Sequence, residues 1–328
     1  MLILTKSDVE KALSMEEAIN AMEEAFAAYS TGRTIVPLRT VIHIGGAEGD
    51  ALFMPGYVEG IGVAVKLVSV FPGNARFGKP TISSVVVLED RETGEPVALM
   101  DGAYLTALRT GAASGAASKH LARKDSKVAA VIGAGVQGKT QLWAVCCVRN
   151  IEEARIYNRD PKKVGQYIAE MKTKLSGVRF VECQSADEAV RGADIIIAAT
   201  TSETPVFSAS SVKKGAHINA IGSYTPKMQE IPTELLKMAS KIVVDSREAV
   251  LSEAGDFIIP ISSGDFSPEN IYGELGEITS GRLRGRESDD EITLFKSVGI
   301  AVQDVACAAR IYEKAVKMGL GIKIDLSN

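Results

Sequence analysis

The sequence predicts an α/β fold made of a parallel-sheet domain and a second, discontinuous α+β domain. The chain has 328 residues, which suits two domains of about 100–200 residues each. From about residue 35, short β-branched runs alternate with Gly-rich turns, whereas beyond residue 127 nearly continuous apolar runs alternate with helical stretches. We therefore assign residues 1–122 and 300–328 to one domain and residues 123–299 to the other.

Composition excludes several classes of protein. The formal net charge is −4, so no basic field is available to attract nucleic acid. We find neither a signal-peptide pattern nor a run of about 18 apolar residues, and this predicts a cytoplasmic protein that does not enter a membrane. The four cysteines lack the spacing of metal ligands, so we expect reduced thiols and no bound metal.

The first domain begins with a helix and continues as a sheet. Apolar residues recur at helical spacing over 12–29, and Thr5 and Ser7 stand where N-caps are expected. The strands that follow are predicted in the runs RTVIHI, ALFMPGYV, GVAVKLVSV and ISSVVVLED, which Gly-rich turns separate. Because the connections are of hairpin length, we expect an antiparallel or mixed sheet.

The second domain has the pattern of repeated βα units. A helix rich in small residues, TALRTGAASGAASKHLA, leads into it. The predicted buried strands lie at 127–133, 154–158, 194–200, 217–222 and 241–245. Helical stretches at 161–175 and 186–193 separate some of them, an alternation typical of a parallel sheet. A last helix, predicted over 291–318, is expected to return to the first domain.

A glycine-rich loop joins the first strand of the second domain to the helix after it. Its sequence is GAGVQG, with Gly133, Gly135 and Gly138 at G-x-G-x-x-G spacing. Gly133 permits the tight turn, Gly135 lets the backbone approach a pyrophosphate, and Gly138 lets helix and strand pack closely. The helix N-terminus offers free N–H groups to phosphates. This context predicts a Rossmann domain that binds a nicotinamide dinucleotide.

The end of the second parallel strand bears on which dinucleotide is bound. A site that prefers NAD usually has an acidic residue there, about 20 residues after the glycines. This chain has Asn158 at that position and Arg159 after it, and a guanidinium attracts a 2′-phosphate. We therefore predict a preference for NADP(H), with NAD(H) as the alternative. Asp160, directly before Pro161, is interpreted as a helix N-cap.

Several segments resemble the ornithine cyclodeaminase/μ-crystallin family. They are VPLRTVI, GVAVKLVSVFPGN, GKPTISSVVVLED, LTALRTGAASG, VIGAGVQGKTQ, INAIGSYTP and EITLFKSVGIAVQDVA, and they occur in the family order over nearly the whole chain. The resemblance implies a Rossmann domain plus an N-terminal substrate-binding and dimerisation domain that the C-terminal helix completes. It also implies a homodimer.

The resemblance and the residue chemistry agree on three cations. Matching positions of Arg39, Lys66 and Arg109 hold the substrate carboxylate in the family, and Lys66 is the expected catalytic residue. A guanidinium can grip a carboxylate in bidentate fashion, and this fixes the neighbouring carbon for hydride transfer. Lys66 also lies in an otherwise apolar strand, where an ammonium without an anionic partner is costly. The resemblance further implies cofactor contacts from Thr81, Arg109, Val136, Gln137, Thr200, Ser223, Tyr224 and Ser297.

One position departs from the family pattern. Cyclodeaminases and the alanine dehydrogenase branch have an Asp where this chain has Tyr224, and that Asp is assigned to handling the substrate amine. A phenol is a poor base at neutral pH. Reduction of a preformed C=N bond needs only a hydride and one proton, and Lys66 can supply the proton.

We therefore expect an NAD(P)H-dependent oxidoreductase that interconverts a 2-imino acid, such as the cyclic ketimine pyrroline-2-carboxylate, and the α-amino acid. The alternatives are an ornithine cyclodeaminase, which forms proline and ammonia, and an alanine dehydrogenase. An alternative from another class is an NADP-dependent small-ligand-binding protein like μ-crystallin. Three retained cations favour the enzyme, because a hydrophobic binder has no need of them.

Overall fold

The computed structural model describes residues 1–46 and 48–326. The chain divides into two compact units. Unit 1 consists of Met1–Arg109 and the chain from Ile300 onward, and unit 2 is Thr110–Gly299. Unit 1 contains a mixed sheet and unit 2 a parallel sheet, so the predicted fold class is confirmed.

The elements of the described chain are numbered in sequence order. The helices are α1 (Lys6–Ala12), α2 (Met15–Ser30), α3 (Gly102–Leu121), α4 (Val136–Val148), α5 (Pro161–Lys174), α6 (Ala186–Val190), α7 (Thr233–Met238), α8 (Arg247–Glu253), α9 (Gly255–Ser262), α10 (Leu275–Thr279) and α11 (Ala301–Met318). The strands are β1 (Leu2–Leu4), β2 (Thr34–Ile35), β3 (Thr40–Ile44), β4 (Gly49–Val58), β5 (Gly62–Val70), β6 (Ile82–Glu89), β7 (Pro96–Asp101), β8 (Val128–Ile132), β9 (Glu153–Tyr157), β10 (Arg179–Glu182), β11 (Ile195–Ala198), β12 (His217–Ala220), β13 (Lys241–Val244), β14 (Gly273–Glu274), β15 (Thr293–Lys296) and β16 (Ile322–Lys323).

The sheet of unit 1 is built on the meander β4–β5–β6–β7. Its strand order is β16-β1-β7-β6-β5-β4-β2, and β3 also pairs with β4. The meander pairs are antiparallel, whereas β1 and β7 are parallel. Helices α2 and α11 pack on one face, and α11 approaches β4 so closely that a Cβ on Gly56 would lie 2.9 Å from the Cβ of Ala301. Small residues at this crossing bring the first turn of α11 onto the sheet.

Two capping boxes define the helical N-terminal segment. Thr5 caps α1 together with Asp8, and Ser14 caps α2 together with Glu17. The single helix predicted over 12–29 therefore begins at Met15, because the Ser14 side chain terminates one hydrogen-bonded run and starts the next. Ser7, the other predicted cap, lies inside α1.

The sheet of unit 2 is parallel throughout, with the order β10-β9-β8-β11-β12-β15-β13-β14. Alternate residues of β8 and β11 enter different hydrophobic clusters on the two faces of the sheet. Ala129 and Val131 of β8 join one cluster, and Ala130 and Ile132 join the other. Burial on both faces explains why these strands are almost continuously apolar in sequence. Within the described residues, no helix is both long and apolar enough to cross a bilayer.

Two boundaries differ from the prediction. The units divide at residues 109/110 within α3, and not at 122/123, because the second half of α3 belongs to unit 2. There the Gln141 side chain donates to the Thr110 carbonyl at 2.9 Å, and Asn219 donates to the Ser118 hydroxyl at 3.0 Å. The helix predicted over 291–318 is wrong at its start: β15 occupies Thr293–Lys296, fully buried between β12 and β13, and α11 begins only after Gly299.

Candidate active site

Lys66 occupies a core position of the unit 1 sheet. On β5, Gly62, Ala64 and Lys66 alternate as buried residues, and Lys66 is only 1% exposed. Its direct cross-strand neighbours are Met54 and Val86, both buried. The period-2 alternation of the strand therefore carries an ammonium into a position that normally holds an apolar side chain.

The first turn of α11 supplies the counter-charge. The Lys66 Nζ lies 2.8 Å from Oδ2 of Asp304, and the Arg109 Nε donates to Oδ1 of the same carboxylate at 3.2 Å. Arg109 also donates from Nη1 to Oε1 of Gln303 at 2.8 Å, and this oxygen accepts from the Ile300 N–H at 2.9 Å. Asp304 gains further stabilisation from its place near a helix N-terminus. One carboxylate thus holds two cations in place.

Arg109 reaches this cluster from α3. Asp101, the last residue of β7, accepts from the Tyr104 N–H at 2.8 Å and so caps the start of α3. Gly102 follows it because a Cβ there would collide with Ser84 and the Val85 backbone. Arg109 lies about two helical turns further on and is 5% exposed.

Electrostatics make the Lys66 ammonium unusually acidic. Burial, the charges of Arg109 and Arg39, and only partial compensation by Asp304 lower the pKa of Lys66 from 10.5 to about 7. Arg39, in the segment before β3, is half-buried and near enough for its charge to act on Lys66. The structure therefore places two of the three predicted cations, Lys66 and Arg109, on a single carboxylate, with the charge of Arg39 acting on Lys66. The cluster carries an excess of positive charge.

Apolar residues continue the sheet face beside Lys66. Val68 follows on the same face of β5 and pairs with Leu52, and Val70 comes next. From the sequence alone, Phe53, Met54, Tyr57 and Val70 suggest the lining of a modest apolar cavity. The register corrects this, because Phe53 and Tyr57 point to the opposite face of β4. A carboxylate held at the cluster would thus have a small apolar surface next to it.

The glycine loop of unit 2 has the geometry that its spacing predicts. Gly133 follows β8 with φ +106°, and a Cβ there would collide with the Ala199 carbonyl. Gly138 lies against the Gly133 carbonyl in the first turn of α4, where no Cβ fits. Gly135 is exposed, and a Cβ on it would meet nothing within 4 Å. Two of the glycines are thus required by packing, and the third leaves open space at a helix N-terminus, as a bound pyrophosphate needs.

Asn158 and Asp160 order the segment after β9. The Asn158 Oδ1 accepts from the Ala134 N–H at 3.1 Å, so this side chain holds the glycine loop itself. Asp160 accepts from the Lys162 N–H at 3.1 Å, which confirms that it caps α5. Arg159 between them is exposed. A neutral side chain and a solvent-facing guanidinium thus stand where an acidic residue would bind the ribose of NAD.

The other predicted cofactor residues differ in their solvent exposure and in whether their hydroxyls already have hydrogen-bond partners. Val136 and Gln137 begin α4, and Val136 is exposed. Thr81, before β6, is exposed, and Tyr224 is partly exposed. The Ser223 hydroxyl is buried and donates to the Met228 carbonyl at 2.7 Å, and the buried Ser297 hydroxyl donates to Asp245 at 2.7 Å. Both hydroxyls therefore stabilise the fold. The Thr200 hydroxyl accepts from the Ser202 N–H at 3.1 Å, as a local cap does.

Sequence reasoning missed Asp304, Gln303 and Glu230. A signal for Asp304 existed, because an ammonium in an apolar strand requires an anion nearby. The sequence could not choose among 41 acidic residues, since the partner lies far away along the chain. Among the described residues, no group of three His, Cys, Asp or Glu side chains forms a metal-binding arrangement.

Comparison with known proteins identifies the family. Residues 1–319 match the family model described as "Ornithine cyclodeaminase/mu-crystallin family". The chain belongs to this family. Two relatives illustrate its branches. A Delta(1)-pyrroline-2-carboxylate reductase of Bacillus cereus is 44% identical over 326 residues, which cover 99% of this chain and 100% of the relative. An alanine dehydrogenase of Archaeoglobus fulgidus is 41% identical over 98% of both chains.

A solved structure of the family is similar over the full length. It is the Delta(1)-pyrroline-2-carboxylate reductase of Thermococcus litoralis in complex with NADH and L-proline. It superposes with a TM-score of 0.95 at 47% identity and covers 99% of this chain and 100% of its own. An archaeal alanine dehydrogenase dimer with bound NAD reaches a TM-score of 0.93 at 40% identity, over 99% of both chains.

Proposed function

We propose that this protein is an NAD(P)H-dependent oxidoreductase that reduces the cyclic imino acid pyrroline-2-carboxylate to proline. The observation that carries the proposal is the buried cluster of Lys66 and Arg109 around one carboxylate, with positive charge in excess. A second support is full-length similarity to reductases of this substrate, one of them in complex with NADH and L-proline.

The cations of unit 1 bind and orient the substrate. Arg39 and Arg109 bind its carboxylate, because guanidinium groups match that anion in charge and geometry. When bound, the reduced nicotinamide supplies the hydride that adds to the imine carbon. Lys66 holds the proton that the imine nitrogen takes up, so one hydride and one proton together convert C=N into a secondary amine. A pKa of about 7 suits Lys66 to proton transfer at neutral pH.

Asp304 sets the position and proton affinity of Lys66. Its carboxylate opposes the lowering of the Lys66 pKa by burial and by the two arginines. Without it, the ammonium would lose its proton at neutral pH and could not act as the acid. Asp304 is therefore a positioning residue for the catalytic lysine.

Unit 2 supplies the dinucleotide site in this proposal. The open backbone at Gly135 and the N-terminus of α4 bind the pyrophosphate. We propose a preference for NADP(H), because Arg159 is exposed and follows the neutral Asn158, which stands where an NAD site has an acidic residue. NAD(H) is the alternative, and the NADH and NAD in the two solved relatives favour it.

The assembly proposed for the protein is a homodimer. Ile42, Ile44, Leu67 and Val85 share the face of the unit 1 sheet opposite Lys66, and all four are exposed. Exposed apolar patches of this kind mark protein interfaces. The dimeric archaeal alanine dehydrogenase agrees with this. A cytoplasmic location is also proposed, because all four cysteines are free thiols.

A substrate panel followed by NADPH and NADH absorbance tests the activity. We expect oxidation of the cofactor with pyrroline-2-carboxylate and slower oxidation with pyruvate plus ammonia, which supplies iminopyruvate. Faster turnover of iminopyruvate would establish the alanine dehydrogenase alternative. Release of ammonia from ornithine with catalytic dinucleotide would establish a cyclodeaminase. Dinucleotide binding without turnover of any imine would leave the μ-crystallin-like alternative.

A further inference from the structure

Unit 2 contains a second buried charge cluster, which the proposed chemistry does not use. Glu230, Asp256 and Lys296 are all 0% exposed. The Lys296 Nζ lies 2.8 Å from Oδ2 of Asp256, and Oδ1 of Asp256 accepts from the backbone N–H of Glu230 at 2.7 Å and of Ile231 at 3.0 Å. Asp256 is thus satisfied by one cation and two amides. The Glu230 carboxylate is the second negative charge in the cluster, and Lys296 is already paired.

The Glu230 carboxylate joins two loops of the parallel sheet. One oxygen accepts from the Thr200 N–H, and the other accepts from the Ser223 N–H at 3.1 Å. Thr200 follows β11 and Ser223 follows β12, two adjacent strands. Gly222 between them is packed against both the Thr200 carbonyl and the Glu230 carboxylate, so no Cβ fits there. The carboxyl ends of such strands form the edge at which dinucleotides bind in open α/β sheets.

Both amide contacts depend on the charge state of Glu230. A carboxylate has two equivalent acceptor oxygens, whereas protonation converts one of them into an O–H group, which is a poorer acceptor and brings a hydrogen atom into the site. Burial and the negative charge of Asp256 raise the pKa of Glu230 to about 7, although Lys296 opposes the shift. Around neutral pH, therefore, Glu230 exchanges between an ionised form that holds both loops and an acid form that holds one of them more weakly.

We propose that Glu230 is a positioning residue for the dinucleotide, and that its ionised carboxylate fixes the loops after β11 and β12 in the arrangement that binds the cofactor. The inference rests on the proposed function only in taking a nicotinamide dinucleotide as the ligand. Because binding selects the ionised form, binding lowers the pKa of Glu230, and dinucleotide affinity rises with pH across neutrality. Each unit of that shift corresponds to about a tenfold change in affinity.

Binding of NADH alone tests this inference without any turnover. NADH is the chosen probe because it lacks a 2′-phosphate, which would itself titrate in this range. Trp143 is the single tryptophan of the chain and lies on α4, so quenching of its fluorescence reports NADH binding. Dissociation constants are measured between about pH 6 and pH 8 for the wild type and for Glu230→Gln. Glu234→Gln, an exposed position in the first turn of α7, is the matched control.

We expect the wild-type and Glu234→Gln proteins to bind NADH about tenfold more tightly at the upper pH than at the lower. Glu230→Gln should bind at every pH with the weak affinity of the acid form, because the amide resembles a protonated carboxyl group. Lys66 also titrates near pH 7, so Lys66→Met is included and should keep the wild-type profile.

Three results would overturn the inference: a flat profile in the wild type, wild-type affinity with an unchanged profile in Glu230→Gln, or a flat profile in Lys66→Met. The profiles of the wild type and of Lys66→Met together decide the question even if Glu230→Gln does not fold. If NADH binds as expected but no imine is reduced, the proposed function fails while the inference stands.

Discussion

Each unit buries a cluster of three charged side chains, and the net charges of the two clusters have opposite signs. In unit 1, Lys66 and Arg109 share Asp304, which leaves positive charge in excess. In unit 2, Lys296 pairs with Asp256, and Glu230 adds a negative charge. Burial, reinforced by the excess charge, lowers the pKa of Lys66 and raises the pKa of Glu230, both to about 7.

The difference in sign reflects what each cluster holds. The unit 1 cluster presents donors without enough acceptors, which suits an anionic substrate. The unit 2 cluster presents acceptors that backbone N–H groups fill, which suits the ordering of loops. A buried charge that is not balanced by an opposite charge costs free energy of folding, so its presence indicates a function. Variants and pH profiles can test whether the unit 1 cluster binds the substrate and supplies a proton while unit 2 binds the dinucleotide.

Removal of the lysine proposed as proton donor should slow the chemical step strongly and leave dinucleotide binding intact. For Lys66→Met we expect kcat to fall by about 10²–10⁴-fold, the usual contribution of a positioned proton donor. The NADH dissociation constant should stay within about twofold, because the glycine loop belongs to unit 2. Steady-state kinetics and Trp143 quenching measure the two effects. Turnover close to wild type would remove Lys66 from the mechanism.

Removal of the shared carboxylate should destabilise the fold. Asp304→Asn leaves two buried cations around a neutral amide, and we expect the free energy of unfolding to fall by about 3 kcal/mol. Larger losses are avoided because Lys66 can give up its proton. Asp125→Asn is the control: Asp125 pairs with Arg123 at the surface, so its loss should leave the free energy of unfolding nearly unchanged. Urea denaturation measures both, and equal effects would contradict the role of Asp304.

The reductase reaction should lose its proton donor as pH rises. Lys66 is protonated below its pKa of about 7, so kcat/KM for pyrroline-2-carboxylate should fall by about tenfold for each pH unit above that value. Lys79→Met, at an exposed position, should keep the same profile. A value of kcat/KM that stays constant to about pH 9 would show that another group supplies the proton.

Substitution of two glycines of the nucleotide loop should have different effects, one on NADH affinity and the other on the free energy of unfolding. Gly135→Ala adds a methyl group to open space at φ −92°, so stability should change by less than about 1 kcal/mol, whereas NADH affinity should fall by about tenfold or more. Gly138→Ala pushes against the Gly133 carbonyl and should lower the free energy of unfolding by about 1–3 kcal/mol. Undiminished NADH affinity in Gly135→Ala would contradict pyrophosphate binding at this loop.

The smallest effect concerns the choice of cofactor. Arg159→Ala should reduce kcat/KM for NADPH by about tenfold, the loss of one charge-assisted contact, and leave the value for NADH unchanged. Lys163→Ala, an exposed neighbour on α5, should leave the ratio of the two values as in the wild type. An unchanged ratio in Arg159→Ala would show that the protein does not select its cofactor through this side chain.

Much of the fold was predictable because it depends on local patterns. Apolar runs predicted β8, β9 and β11, and the spacing of the glycines predicted the turn into α4. The prediction was wrong over 291–298, because a short apolar run fits a buried strand as well as a helix. Pairing with β12 and β13 makes this segment a strand. It was also wrong for the pocket residues Phe53 and Tyr57, because the face of the sheet to which a side chain points depends on strand register.

Residue type and short-range spacing were sufficient to predict the two kinds of sheet and the nucleotide loop. The three cations were indicated by the resemblance to the family, because a cationic side chain alone does not show whether it binds a ligand or forms a surface ion pair. Tertiary structure decided that Asp304 of α11 pairs with Lys66 of β5, and that Glu230 joins the loops after β11 and β12. These contacts connect residues far apart in the chain. Their effect on proton affinity comes from burial and from the distance between charges, and both are fixed only when the strands and helices pack.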